Sequence, residues 1–438
     1  MTLVPSFIAL VQPLGWAMGT SSFQLFLTIL AGWIFAPRRT VSNMLMAAGV
    51  AGIRHHAAYY RLFSSARWSL DQLGLLVFRL LLLPLLDETQ PVKLSMDDVR
   101  ARKRGQKMFG TGMYYDPLLS SRKKTVVTWG HSWVVLAVVV RLPFCPDRVF
   151  SLPILFRLYL NRNAAERARR KYRTQPELAV ELLSLLCNAH PTRRFHVFAD
   201  SAYGGESVLG WLPTNCDLTS RLPLNARLYE APAARKPGQK GRPRKRGAQL
   251  PTPAQMLAQR ARRVTLAIYG RKDRVRLTET VAHWYSVPNR PLKIVAVEPL
   301  VGGRPVQAFY STRIEQSGEQ VLVDYSGRWS IEEAFQGSKS HLGFQEPQGW
   351  SRLAVLRTAP IAMLLYSLIV LWFARVGHSF YRPPVRPWYR SKRQPSFADM
   401  LATLKRESLR ETLSARVGDA SLSRNVLDVV FAAAHVAP

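Results

Sequence analysis

Residues 92–98 read VKLSMDD, residues 125–140 read TVVTWGHSWVVLAVVV, and residues 193–200 read RRFHVFAD. Each is an apolar or β-branched run of strand character, and the first and last end in acids. Helical spacing fills stretches between them, at residues 163–173 and 176–188. Strands interleaved with helices predict an α/β core. Asp98 and Asp200 then stand at strand ends, where carboxylates converge easily.

Working outward, strand-like runs recur at residues 263–270, 283–288, 293–300 and 305–312, with no helix of comparable length separating them. The economical reading is a core at 91–222 that resumes at 320–375, interrupted by a β-rich insertion at 223–319. Apolar residues at helical spacing between positions 20 and 86, with Arg54, His55, His56, Tyr59, Tyr60 and Arg61 between them, predict a helical N-terminal DNA-binding domain over 1–90. Residues 376–438 read as a Pro- and Arg-rich linker, then a helical tail from Phe397.

Among 438 residues, Lys and Arg outnumber Asp and Glu by 61 to 28, a formal charge of +33. That excess calls for nucleic acid or an anionic membrane as partner. The membrane reading has two supports. Residues 1–36 carry no charge, and residues 359–374 are almost wholly apolar. The first run is interrupted by Gln12, Pro13, Gly15, Ser21, Ser22 and Gln24, and the second falls short of the ~20 residues a span needs, so a buried core helix is expected there. Residues 73–86 contain Arg79 and read as a packed helix ended by Pro84. Cys145, Cys187 and Cys216 form no CxxC pair, which argues against a disulfide framework or a zinc knuckle and for a reducing compartment such as the cytoplasm.

Residues 325–339, YSGRWSIEEAFQGSK, separate Tyr325, Arg328, Glu332 and Lys339 by three, four and seven residues. One helix would hold all four within a sector of roughly 60°. Ile331, Ala334, Phe335 and Leu342 would form the adjacent buried face, with Gly343 ending the helix. The plainer alternative is a solvated face with an Arg328–Glu332 pair. With Asp98 and Asp200, Glu332 completes three carboxylates, a set able to hold two divalent cations about 4 Å apart for phosphoryl transfer. Oxygen donors favour Mg²⁺ or Mn²⁺.

The Tyr, Arg, Glu, Lys spacing resembles the signature of cut-and-paste bacterial insertion-sequence transposases of the DDE type, whose RNase H-like core is split by a β insertion. DSAYGG (200–205) looks like that family's second acidic motif, and WGHSWVV (129–135) like its central hairpin strand. The resemblance implies Asp98, Asp200 and Glu332 as catalytic metal ligands. It implies Tyr325, Arg328 and Lys339 as contacts to transposon-end phosphates and Trp329 as a platform for a flipped base; from its apolar character alone, Trp329 reads equally as a core residue. At the first acid many relatives read Asp-Asp-Thr or Glu-Asp-Thr, whereas this chain reads Asp97-Asp98-Val99, so Asp97 stays a rival.

KGRPRKRG (240–247) carries the Gly-Arg-Pro centre of an AT-hook, which would send Arg242 and Arg244 into a minor groove; a solvated basic loop is the alternative. His55 and His56 read as basic surface, His131 as a core imidazole, and His341 as a neighbour of the site's edge. The expected function is metal-dependent nicking of double-stranded transposon ends and strand transfer into target DNA by a homodimer on the bacterial nucleoid. The alternatives are a non-catalytic DNA-binding descendant and a basic membrane-associated protein.

Overall fold

The computed structural model describes residues 1–116, 119–121, 123–233, 244, 246–268, 270–383, 394–417, 427, 429–431 and 434. Five helices come first: α1 (Pro5–Val11), α2 (Thr20–Phe35), α3 (Val41–Ala48), α4 (Ala57–Ser64) and α5 (Leu70–Leu76). Strands β1 (Val92–Arg102), β2 (Gly112–Tyr115), β3 (Val127–Leu142) and β4 (Cys145–Tyr159) follow, then α6 (Arg162–Arg167), α7 (Gln175–Ala189), β5 (Phe195–Ala199), α8 (Glu206–Leu209) and β6 (Cys216–Leu222). The next stretch holds β7 (Leu228–Tyr229), β8 (Gln249–Leu250), α9 (Pro253–Arg260), β9 (Arg262–Ile268), β10 (Arg271–Trp284), β11 (Val287–Pro299) and β12 (Gln307–Ser311). The chain continues through α10 (Gly318–Ser326), α11 (Ser330–Leu342), α12 (Arg352–Trp372), α13 (His378–Phe380) and α14 (Phe397–Val417).

β1 is the organising strand. It runs antiparallel to β3, which is antiparallel to β4, and parallel to β5, which is parallel to β6. The order β4-β3-β1-β5-β6, an antiparallel meander continued by two parallel strands, is that of an RNase H-like core within a mixed α/β fold. The polar capping box of Thr174 and Glu177, with Pro176 in the first turn, starts α7 where the sequence predicts a helix. β1 differs from expectation: it extends past the acids to Arg102, because Val99 and Ala101 keep burying on alternate positions. Asp97 and Asp98 therefore lie within the strand and emerge on opposite faces.

The strands expected as an insertion do not make a sheet of their own. β12 pairs with β6, β11 with β12 and β10 with β11, so they lengthen the core sheet. Residues 283–288 are not one strand but the end of β10, a turn at residues 285–286 and the start of β11, with Trp284 and Val287 facing each other across the hairpin. Nor do the N-terminal helices stand apart. Arg357 on α12 is buried beneath them, donating to the carbonyls of Leu62, Phe63 and Trp68 while its guanidinium lies over the Trp68 ring. Trp33 Nε1 donates to the Leu342 carbonyl at 2.8 Å, tying α2 to the end of α11. The helix spanning Arg352–Phe380 is longer than the apolar run suggests and passes the length and hydropathy test for a membrane span, yet 89% of its most apolar window is buried inside the protein.

Candidate nuclease site

Four acids draw near one another where β5 ends beside β1. The register pairs Met96 with Ala199, so Asp97 and Asp200 are the next residues on two parallel neighbours. Asp97 shares its face of β1 with Ser95, whose hydroxyl meets Ser151, which in turn meets Ser330 at the start of α11. On that face the Asp97 carboxylate accepts from Arg328 Nη1 at 2.5 Å, and the other arm of Arg328 reaches Glu332 at 3.5 Å. One guanidinium thus bridges the first strand's acid and the helix's acid. Asp98 points the other way, toward the Tyr203 hydroxyl at 3.5 Å and Arg100 at 3.4 Å. By the period-two alternation of the strand it is Asp97, the rival first acid, and not Asp98 that shares Arg328 with Glu332.

Asp200 directs Oδ1 to the Ala202 amide at 2.6 Å and so caps the short turn Ser201–Tyr203. Gly204 in the same motif lets that turn settle on β6, since a Cβ there would lie 2.3 Å from Ser220 Oγ. Ser220 Oγ itself donates to the Asp200 carbonyl at 2.9 Å.

The electrostatics match crowded anions. Burial pushes Asp97 up to about 6 against the pull of Arg328, and Asp98 and Asp200 push the same way. Asp98 and Glu332 are also raised, each chiefly by burial and further by Asp200. Burial opposes the charge on Arg328, but Asp97, Tyr325, Glu332 and Asp200 more than offset it and its pKa lies above the usual value.

Tyr325, Arg328, Glu332 and Lys339 follow one another along a helical backbone that tightens once, and the i,i+4 pair of Arg328 and Glu332 spans the seam. α10 ends at Ser326, a 3₁₀ turn covers Gly327–Trp329, and α11 starts at Ser330. Tyr325 is buried against Phe309, with ring centroids 4.6 Å apart, and Arg328 is buried beside the acids. The Tyr325 hydroxyl and Arg328 Nε are buried without hydrogen-bond partners among the described residues. Lys339 lies about 10 Å along α11 from Glu332. There burial lowers its pKa, with Arg102 adding to the effect and Asp116 opposing it. Trp329 is 52% exposed, which removes the core alternative. Glu333 is drawn off to Arg148 at 2.7 Å.

Other expected residues fall elsewhere. Arg242 lies outside the described residues, and Arg244 is exposed. His55 and His56 are exposed and stacked, 4.3 Å between centroids. His131 is a core imidazole bonded to the Phe109 carbonyl at 2.9 Å. His341 does not line the acids; its ring faces Phe397 at 6.0 Å. Two neighbours went unread in the sequence. Tyr203 has a signal, the DSAYGG motif that folds it against Asp98. Arg221 on β6 has none, though its charge reaches both Glu332 and Tyr325.

Compared with known protein families, residues 19–278 match the DDE superfamily endonucleases. The chain belongs to that family. No curated protein matches it. The endonuclease is thus of the nuclease and transposase type, with DNA as the substrate its family implies, and members of this superfamily are generally dependent on divalent metals. Among the described residues no three Asp, Glu, His or Cys side chains stand close enough together to hold a metal ion. The donor set nevertheless suits one: all are hard oxygen ligands, and Asp97 and Asp98, raised first by burial and further by Asp200, mark negative charge that a divalent cation would offset. Arg328 supplies part of that compensation from its seat between Asp97 and Glu332.

Proposed function

We propose that this endonuclease is a cut-and-paste DNA transposase that nicks the ends of its element and joins the freed 3′ ends to target DNA. The observation that supports this best is the bridging of Asp97 and Glu332 by Arg328, with Asp200 on the adjacent strand. Asp97, Asp200 and Glu332 would hold Mg²⁺ or Mn²⁺, with Asp98 behind them as a carboxylate that orients Arg100 and Tyr203. The bound ions would activate the attacking oxygen and neutralise the leaving one. For the acids to draw together, Arg328 leaves Asp97, and its second arm and buried Nε become free for a phosphate oxygen. Tyr325 offers an unspent hydroxyl to the same strand, Lys339 meets the backbone farther along, and exposed Trp329 stacks on an unpaired base. The N-terminal helices present Arg54, His55, His56 and Arg61 to duplex. Two copies pair the two ends on the nucleoid in the cytoplasm.

The test is nicking and strand transfer on duplex carrying the ends that flank the gene, in Mg²⁺ or Mn²⁺, with DNA binding measured separately. Wild type cuts and joins; Asp97→Ala, Asp200→Ala and Glu332→Ala bind but do neither. Wild-type protein that binds the ends yet never cuts in either metal would replace this reading with a non-catalytic DNA-binding descendant. A complex that holds a single copy on end DNA would remove the paired synapse.

A further inference from the structure

Far from the acids, at the β7 edge of the sheet, Tyr285 sits in the hairpin turn between β10 and β11 with a guanidinium on each side. Arg227 and Arg246 each lie 3.8 Å from its ring centroid, and Arg246 also lies 5.4 Å from the ring of Tyr229. The backbone holds the stack in place. The Tyr285 amide donates to the Arg227 carbonyl at 2.9 Å, Arg246 Nη2 donates to the Tyr285 carbonyl at 3.2 Å, and Tyr229 pairs with His283 across β7 and β10. Two like charges on one ring repel, so a structure that keeps both spends stability on the arrangement unless an anion joins it. Among the described residues neither arginine forms an ion pair, and Arg246 Nε is buried with no hydrogen-bond partner. Arg227, Arg246 and Tyr285 therefore form a cationic fork with donors to spare.

We infer that this fork is a second contact for duplex DNA, with Arg227 and Arg246 gripping the phosphate backbone outside the nuclease site. The partner follows from charge and spacing. A chain of net charge +33 acts on DNA, and stacked guanidinium groups match phosphate oxygens in planar, bidentate fashion. β7 is five strand spacings from β5 along the order β5-β6-β12-β11-β10-β7. At ~4.8 Å each that is on the order of 24 Å, the rise of about seven base pairs. The C-terminal end of the basic stretch read as AT-hook-like lies here as well, since Gly247 and Ala248 exchange backbone hydrogen bonds with Glu230 beside the fork. The inference rests on the DNA-binding part of the reading above and not on its chemistry.

The experiment compares full-length wild type with Arg227→Gln/Arg246→Gln and Arg227→Lys/Arg246→Lys on two end duplexes. One reaches fewer than about five base pairs from the cut site on either side, the other about fifteen. Anisotropy titrations across salt give affinity and salt slope. Wild type should bind the long duplex more tightly, with a salt slope steeper by about 1.8, two phosphates at ~0.9 each. The Gln pair should lose that extra slope while matching wild type on the short duplex, and the Lys pair should keep most of it. Equal binding of both lengths by wild type, or equal weakening of both by the Gln pair, overturns the inference; the second outcome means the fork is only a structural pin. Nicking of the short duplex separates the two readings, because loss of cutting there with a retained length effect sinks the transposase chemistry and leaves the fork standing.

Discussion

At the scale of single residues, the two neighbouring acids of β1 separate by face. Asp97 shares Arg328 with Glu332, whereas Asp98 lies with Tyr203 and Arg100. Asp97→Asn should lower the nicking rate by far more than ~100-fold, and Asp98→Asn by about 10- to 100-fold, the usual cost of an outer partner. Single-turnover nicking at saturating DNA decides it, and the reverse ranking would return the first acid to Asp98. Sequence alone could not separate them, because DDV offers two carboxylates and no hydroxyl to mark the register; only the parity of burial along β1 does. A second prediction concerns His131 and His196, both buried, with burial pulling their pKa values down to about 4 and about 3. Below the ordinary value near 6.5 the unfolded chain binds protons there that the folded chain refuses, so stability falls as pH drops from 6.5 toward those values. Each histidine contributes up to about 1.4 kcal/mol per pH unit within that window. Denaturant unfolding between pH 7 and 5 should show this slope and lose one proton's worth in His196→Gln; an unchanged slope would mean His196 is protonated in the native state.

At the scale of elements, legibility followed burial. β3 and β5 are buried nearly throughout and were readable as apolar runs. β10 was not, since its alternation sets Arg274, Arg276 and Glu279 among Val275 and Leu277 and hides a two-sided strand behind charge. β4 carries Pro146 and Pro153, which obscure a strand in the sequence; the strand tolerates Pro153 where its register with β3 shifts. The helix predicted through Tyr325 and Lys339 tightens to 3₁₀ at Gly327–Trp329, a change of pitch that an angular count assuming continuous 3.6-residue periodicity cannot register. Packing between α2 and α3 was equally silent. A Cβ on Gly32 would fall 2.1 Å from the Met44 carbonyl oxygen, a backbone atom that cannot step aside. Gly32→Ala should therefore cost at least ~1–3 kcal/mol by overpacking. Thermal unfolding measures it, and a melting temperature equal to wild type would show that α3 is free to slide away.

At the scale of the molecule, 61 basic against 28 acidic residues means that the fold is assembled under self-repulsion, and the carboxylates are placed where they matter. Among the described residues many acids are already engaged, as Asp71 and Glu181 are by Arg157 and Glu279 by Arg262 and Lys293. The excess arginines are left for an outside anion. Binding should then be driven largely by counterion release, with a log–log salt slope of roughly −5 to −9 for six to ten neutralised phosphates and a loss of about 10³- to 10⁵-fold between 50 and 200 mM salt. Cutting should respond differently. Arg328 is buried and the acids are half-buried, so they feel bulk ions less than the surface arginines do, and the single-turnover rate on DNA already bound should change little over the same range. Measuring both on one substrate separates the surface from the site. A flat binding slope would mean that the positive charge serves something other than DNA, whereas a cutting rate that falls in step with binding would mean that the duplex must be re-gripped by the surface before the acids act.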